Sequence, residues 1–71
     1  SIPFARDSAE RQSKAALLAW EVLGGREPAT EFLNSHSDEL GGRPIDLAIA
    51  SAEGLAAVER ALSNRRDAAK P

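Results

Sequence analysis

His36 is the only imidazole in the chain, and Asp38 and Glu39 follow it closely. Such a cluster can serve as an acid–base dyad or as part of a metal cage. The commoner occurrence of a loop histidine beside carboxylates is as a solvated surface group, and that reading is preferred here. Two glycine pairs, Gly24-Gly25 and Gly41-Gly42, raise the question of phosphate binding. Neither pair has the spacing or the strand–turn–helix setting of a phosphate loop. Asn64-Arg65-Arg66-Asp67 forms a small basic patch that could meet a phosphate. Cations at the end of a helix are explained as well by its macrodipole. With no cysteine, neither a disulfide nor a thiolate metal site can form. The residues therefore lead to no catalytic site, no metal and no cofactor, and the chain is not expected to be an enzyme.

The bulk properties narrow the partners. Nine Lys and Arg stand against eleven Asp and Glu, a net charge of −2. Nucleic-acid binding rests on neutralising phosphates, so this segment is not expected to hold nucleic acid by itself. Phe4, Trp20 and Phe32 are the aromatic residues, without the basic neighbours that would accompany base stacking. No stretch approaches the ~20 apolar residues of a membrane span, and no secretion signal is visible. The expected compartment is the cytoplasm. There is no methionine, even at position 1, from which an excised or processed piece of a longer protein is expected.

The chain of 71 residues makes one small domain, marginal on its own at this size. Its elements read as all-α, with four helices of unequal length, a core over about residues 8–63, a flexible N-terminal lead-in and a charged C-terminal tail. Pro3 sits in the lead-in, and Asp7 or Ser8 is a suitable N-cap for a first helix ending at Gly24-Gly25. Ala15, Leu18, Ala19, Val22 and Leu23 share one face of it. A second helix is expected over Pro28 to Asn34, with Ala29, Phe32 and Leu33 inward. A polar loop from Ser35 to Arg43 follows. The third helix opens at Pro44, whose missing N–H is harmless in a first turn. It carries Ile45, Ala48 and Ile49 on one face, with Leu47 elsewhere. Ser51 is the expected N-cap of a fourth helix with Leu55, Val58 and Leu62 as its stripe. Gly54 near its start costs roughly 1 kcal/mol against alanine.

Leu17 and Trp20 fall off the apolar face of the first helix. A four-helix domain can cover more than one side of a helix, and Trp20 is expected to be covered in that way. A dimer or partner contact is the other reading, and for Leu17 the two are evenly matched.

The segment Phe32-Leu33, Asn34 to Asp38, then Leu40-Gly41-Gly42-Arg43-Pro44 resembles a known family. It is similar to the toxin-binding domain of the Xre/MbcA/ParS-type bacterial antitoxins. That family has an alanine-rich helix ending in a glycine turn and a short helix closing in an aromatic-Leu pair. A polar loop and a Leu-Gly-Gly-Arg-x-Pro element then lead to an apolar helix, a glycine near the next helix start, and a Val-x-x-x-Leu stripe. Val22-Leu23-Gly24, Ala29, Ile45 to Ile49, Gly54, Val58 and Leu62 match those positions, so the likeness covers roughly Ala15 to Leu62. Phe32 stands where the family commonly has Trp, and the chain ends in Asn-Arg-Arg-Asp-Ala-Ala-Lys-Pro rather than a glycine-containing end.

The resemblance implies a protein partner, a RES-type toxin that cleaves NAD or transfers ADP-ribose. It implies neutralisation by occlusion of the toxin's active site. By the same analogy Asn64, Arg65, Arg66 and Asp67 enter the cleft, and Ser35, His36, Asp38 and Arg43 make rim contacts. Leu40, Gly41, Gly42 and Pro44 form the structural motif. Such antitoxins usually carry an N-terminal helix-turn-helix, so DNA binding is expected only through a domain absent from this chain. The alternative reading is a dimerisation module of a DNA-binding regulator, with Leu17 and Trp20 as its contact and a homodimer as its state.

Overall fold

Alanines line the places where the helices meet. The computed structural model describes the backbone of residues 3–68 and the side chains of 6–68. Within it α1 (Pro3–Leu23), α2 (Arg26–Asn34), α3 (Pro44–Ala50) and α4 (Ala52–Ala68) follow in order, with no strand among the described residues. The all-α architecture of four unequal helices is as the patterning predicts. Ala15 and Ala19 of α1, Ala29 and Leu33 of α2, Ala48 of α3, and Leu55, Val58 and Leu62 of α4 form the buried cluster. Small side chains at these contacts allow the helices to approach closely. Leu18, Val22, Leu23, Phe32 and Ile45 pack around it, joined by Leu47, which the helical pattern had placed off this face. α1 packs against all three other helices, and α3 packs most extensively against α4.

The boundaries differ from the sequence pattern in three places, each for a physical reason. α1 begins at Pro3 rather than at Asp7 or Ser8. Proline is well placed in a first turn, and Ser8, inside the helix, uses its hydroxyl to donate to the Ile49 carbonyl at 3.3 Å. α2 begins at Arg26, ahead of Pro28, with Gly25 extended before it. Gly24 takes φ 82° and closes α1, its N–H donating to the Trp20 carbonyl at 2.9 Å. α4 continues through the charged segment to Ala68, with Arg65 and Arg66 in its last turn. No glycine or proline interrupts that segment, and cations suit the negative end of the macrodipole. No helix of the described residues is long and apolar enough to cross a membrane.

One residue, Ser51, separates α3 from α4, and the corner is very tight. The Ser51 hydroxyl accepts the Gly54 N–H at 2.9 Å, as expected of an N-cap, and the Ser51 carbonyl accepts the Leu55 N–H at 3.1 Å. Gly54 passes directly over the backbone of Leu47. A Cβ there would collide with the Leu47 carbonyl oxygen and lie 2.6 Å from its carbon. The glycine is therefore required by space, and its weak helix propensity is the accompanying cost.

The carboxyl end of α3 is closed from another helix. α3 has no basic residue in its last turn, and its final carbonyls lack intrahelical partners. Arg11 of α1 fills the role: Nε donates to the Ala48 carbonyl at 3.0 Å and Nη2 to that of Ile49 at 2.6 Å. A guanidinium placed there satisfies two orphan acceptors and meets the negative helix end.

Two stability outcomes follow. Gly54→Ala lowers the unfolding free energy by about 2 kcal/mol, because the clash outweighs the ~1 kcal/mol gained in propensity. Urea titration followed by circular dichroism reads this directly; an unchanged midpoint would contradict the close approach. Arg11→Met keeps the apolar stem and removes the hydrogen bonds, for a loss of about 1.5 kcal/mol. A melting temperature equal to that of the parent domain would show that Arg11 does not hold α3.

Candidate functional site

The loop between α2 and α3 is organised by a single serine. The Ser37 N–H donates to the Gly42 carbonyl at 2.9 Å, and the Ser37 carbonyl accepts from Gly41 at 2.8 Å and from Gly42 at 3.2 Å. Its hydroxyl accepts the Leu40 N–H at 3.2 Å. Four hydrogen bonds converge on one residue, and Ser37 and Gly42 form an isolated antiparallel bridge. Gly41 makes this closure possible by taking φ 79°, a left-handed conformation that a side chain disfavours. Gly42 beside it has no positive φ. Leu40 folds back onto the core, and Pro44 is fully buried as the first residue of α3.

The preceding stretch is anchored at the end of α2. The Ser35 N–H donates to the Glu31 carbonyl at 3.1 Å and the Asn34 side chain to that of Thr30 at 2.9 Å. His36 and Asp38 then stand together, His36 Nε2 lying 3.3 Å from Asp38 Oδ1, both side chains well exposed. Among the described residues no group of His, Asp and Glu is arranged to hold a metal ion.

A cavity of about 570 Å³ opens between α2, this loop and the end of α4. Leu23, Pro28 and Phe32 give it an apolar wall. Glu31, Asp38 and Glu39 line it with carboxylates, against His36 and Arg65 as its basic groups. The Arg65 guanidinium lies over the Phe32 ring, 4.8 Å from the centroid, a cation–π arrangement. α2 and α4 make no close backbone approach, and this stack is a side-chain link between them.

The site residues expected from the sequence are thus partly gathered. Ser35, His36, Asp38 and Arg65 line one cavity. Asn64, Arg66 and Asp67 are exposed on the last turns of α4 and do not line it. Arg43 also lies outside it. Its Nε and Nη2 donate to the two oxygens of Asp46 at 2.9 and 3.1 Å. Those hydrogen bonds hold the Asp46 carboxyl below the usual carboxylate range and push the Arg43 guanidinium up. With Asp46 depressed, the pair's small contribution is present above the ordinary carboxylate range and is lost as acid protonates Asp46.

Phe32, Glu31 and Ser37 are the residues the sequence alone underrates. Phe32 reads as core, yet it is half-buried and offers a face to Arg65. A signal for the pairing existed: Val58, Leu62 and Arg65 continue one stripe if the last helix is extended past Ser63. Leu17 and Trp20 lie on the far side of α1 from the core, 66 % and 52 % exposed. Trp20 is therefore not covered by the other helices, because Ala15, Leu18, Ala19 and Val22 already turn the opposite side of α1 inward.

No curated protein and no solved structure matches the chain significantly. A domain family does: the antitoxin Xre/MbcA/ParS C-terminal toxin-binding domain, over residues 18–67. The match spans more than half of the chain, from within α1 through the Ser37 loop to the end of α4, and so takes in every residue lining the cavity. The chain belongs to the Xre/MbcA/ParS antitoxin family, and the fold described here is that family's toxin-binding domain.

Proposed function

We propose that this domain neutralises a RES-type toxin by covering the active site in which that toxin uses NAD. The toxin either degrades NAD or transfers ADP-ribose from it, and the domain acts as a binding module in the same cytoplasm. The observation that carries the reading is the joining of Arg65, at the end of α4, to the loop residues Ser35, His36 and Asp38 around one cavity. Two segments nearly thirty positions apart in sequence thereby form one continuous contact surface.

On this reading the exposed last turns of α4 are a short rigid finger carrying Asn64, Arg65, Arg66 and Asp67. Arg66 is exposed and presents a planar fork able to pair with carboxylates in the toxin cleft. Arg65 contributes from its place over Phe32. The rim formed by Ser35, His36 and Asp38 is rich in carboxylates through its neighbours Glu31 and Glu39. That lining complements basic groups around a site built to hold a nucleotide's phosphates. Arg43, tied to Asp46 outside the cavity, adds a contact at the margin.

Double substitution Arg65→Glu and Arg66→Glu weakens inhibition of the toxin's NAD consumption at least tenfold, as loss of buried arginine anchors does at other interfaces. Helical circular dichroism is retained, while the melting temperature falls by roughly 5 °C through loss of the Arg65–Phe32 stack and of favourable cations at the end of α4. In steady-state assays the parent domain competes with NAD. Inhibition that ignores NAD concentration, or that survives both reversals, would refute occlusion by this end of α4.

A further inference from the structure

The cavity between α2, the Ser37 loop and the end of α4 has two unlike sides. Leu23, Pro28 and Phe32 make one side apolar, and Glu31, Asp38 and Glu39 set three carboxylates around it. Pro28 is exposed, and Leu23 and Phe32 are half-buried, so the apolar side is open to a guest. Glu31 and Glu39 form no ion pair with any described residue, and Asp38 meets only His36, at 3.3 Å. Arg65 pairs with none of the three; its guanidinium lies over the Phe32 ring, 4.8 Å from the centroid.

The class of guest follows from this lining. Three carboxylates repel a nucleotide or any other phosphate-bearing molecule. A bare metal ion lacks its cage, since no group of His, Asp and Glu among the described residues is arranged to hold one. Small metabolites are enclosed by apolar surface and fixed by a few convergent polar groups. Here Glu31, His36, Asp38, Glu39 and Arg65 are all exposed. What fits is a cation on an apolar stem, delivered by a protein. The space, about 570 Å³, is that of a drug-sized guest, or about two residues of an extended peptide. The domain displays half of this recognition within itself, because a guanidinium already rests on the face of Phe32.

We propose that the cavity receives a short basic segment of the toxin. The head of one arginine or lysine meets Glu31, Asp38 and Glu39, while a neighbouring apolar side chain lies along Leu23 and Pro28. The inference rests on the neutralisation reading for who the partner is, and adds what that partner must present. Exposed carboxylates of this kind contribute orientation and choice of partner more than affinity.

The probe is the capped dipeptide acetyl-Leu-Arg-amide, titrated into the isotope-labelled chain and followed by amide chemical shifts. Saturable shifts are expected at Leu23, Phe32 and the stretch from Ser35 to Glu39. The dissociation constant for so small a guest is roughly 1–10 mM. Acetyl-Leu-Glu-amide moves none of these signals. Joint substitution Glu31→Gln and Glu39→Gln weakens the arginine peptide about fivefold, the size of two exposed charge contacts. Helical circular dichroism is unchanged, and inhibition of the toxin falls by a similar factor. No saturable shift, equal binding of the glutamate peptide, or full binding by the double variant would overturn the proposal. Unchanged inhibition by the double variant would show that the toxin does not use this cavity. Peptide binding without competition against NAD would refute occlusion alone, and competition without peptide binding would refute this assignment alone.

Discussion

The passage of Gly54 over the Leu47 backbone is the contact on which the rest of the domain depends. A corner of one residue between two helices leaves little choice of direction for the second. With the Ser51 cap holding its first turn, α4 leaves the corner along a path that lays Leu55, Val58 and Leu62 across the other helices. The same path delivers Arg65 to the Phe32 ring, eleven residues beyond Gly54. A helix transmits direction over such a length because its hydrogen bonds make it stiff. An error of angle at Gly54 would therefore be magnified at the cavity. Arg11 acts on the same junction from the opposite side by holding the last carbonyls of α3.

Alanine and leucine divide the labour inside this small molecule. The alanines permit approach, and the leucines and Val58 fill the centre that approach creates. Such an interior holds few large side chains, which is the reason that specific polar closures matter here. Ser8, Arg11 and Ser51 connect backbone ends between or at the helices, and Ser37 closes the loop. Every buried side-chain polar atom among the described residues has a partner.

Much of this was legible in the order of residues. The inward faces of the helices follow from periodicity, and Gly24, Pro44 and Ser51 mark boundaries through backbone chemistry that acts locally. The family likeness also resided in local elements, above all Leu40 to Pro44 and Gly54. What escaped the pattern was tertiary. The need for glycine at Gly54 lies in a backbone from another helix, and the role of Arg11 lies at the end of α3. Helix ends moved where such long-range partners intervene: Ser8 serves Ile49 instead of capping α1. At the cavity, His36 and Asp38 were visible as neighbours in sequence. Phe32 was visible only as an apolar residue, since its relation to Arg65 requires the extended α4.

The Arg65–Phe32 stack has a consequence for the free domain. An exposed arginine normally samples many rotamers, and ordering it at an interface forfeits that freedom. Here the aromatic face already restrains the guanidinium before any partner arrives. Part of that freedom is thus given up during folding, and any docking through this end of α4 would start from an arginine already set in place.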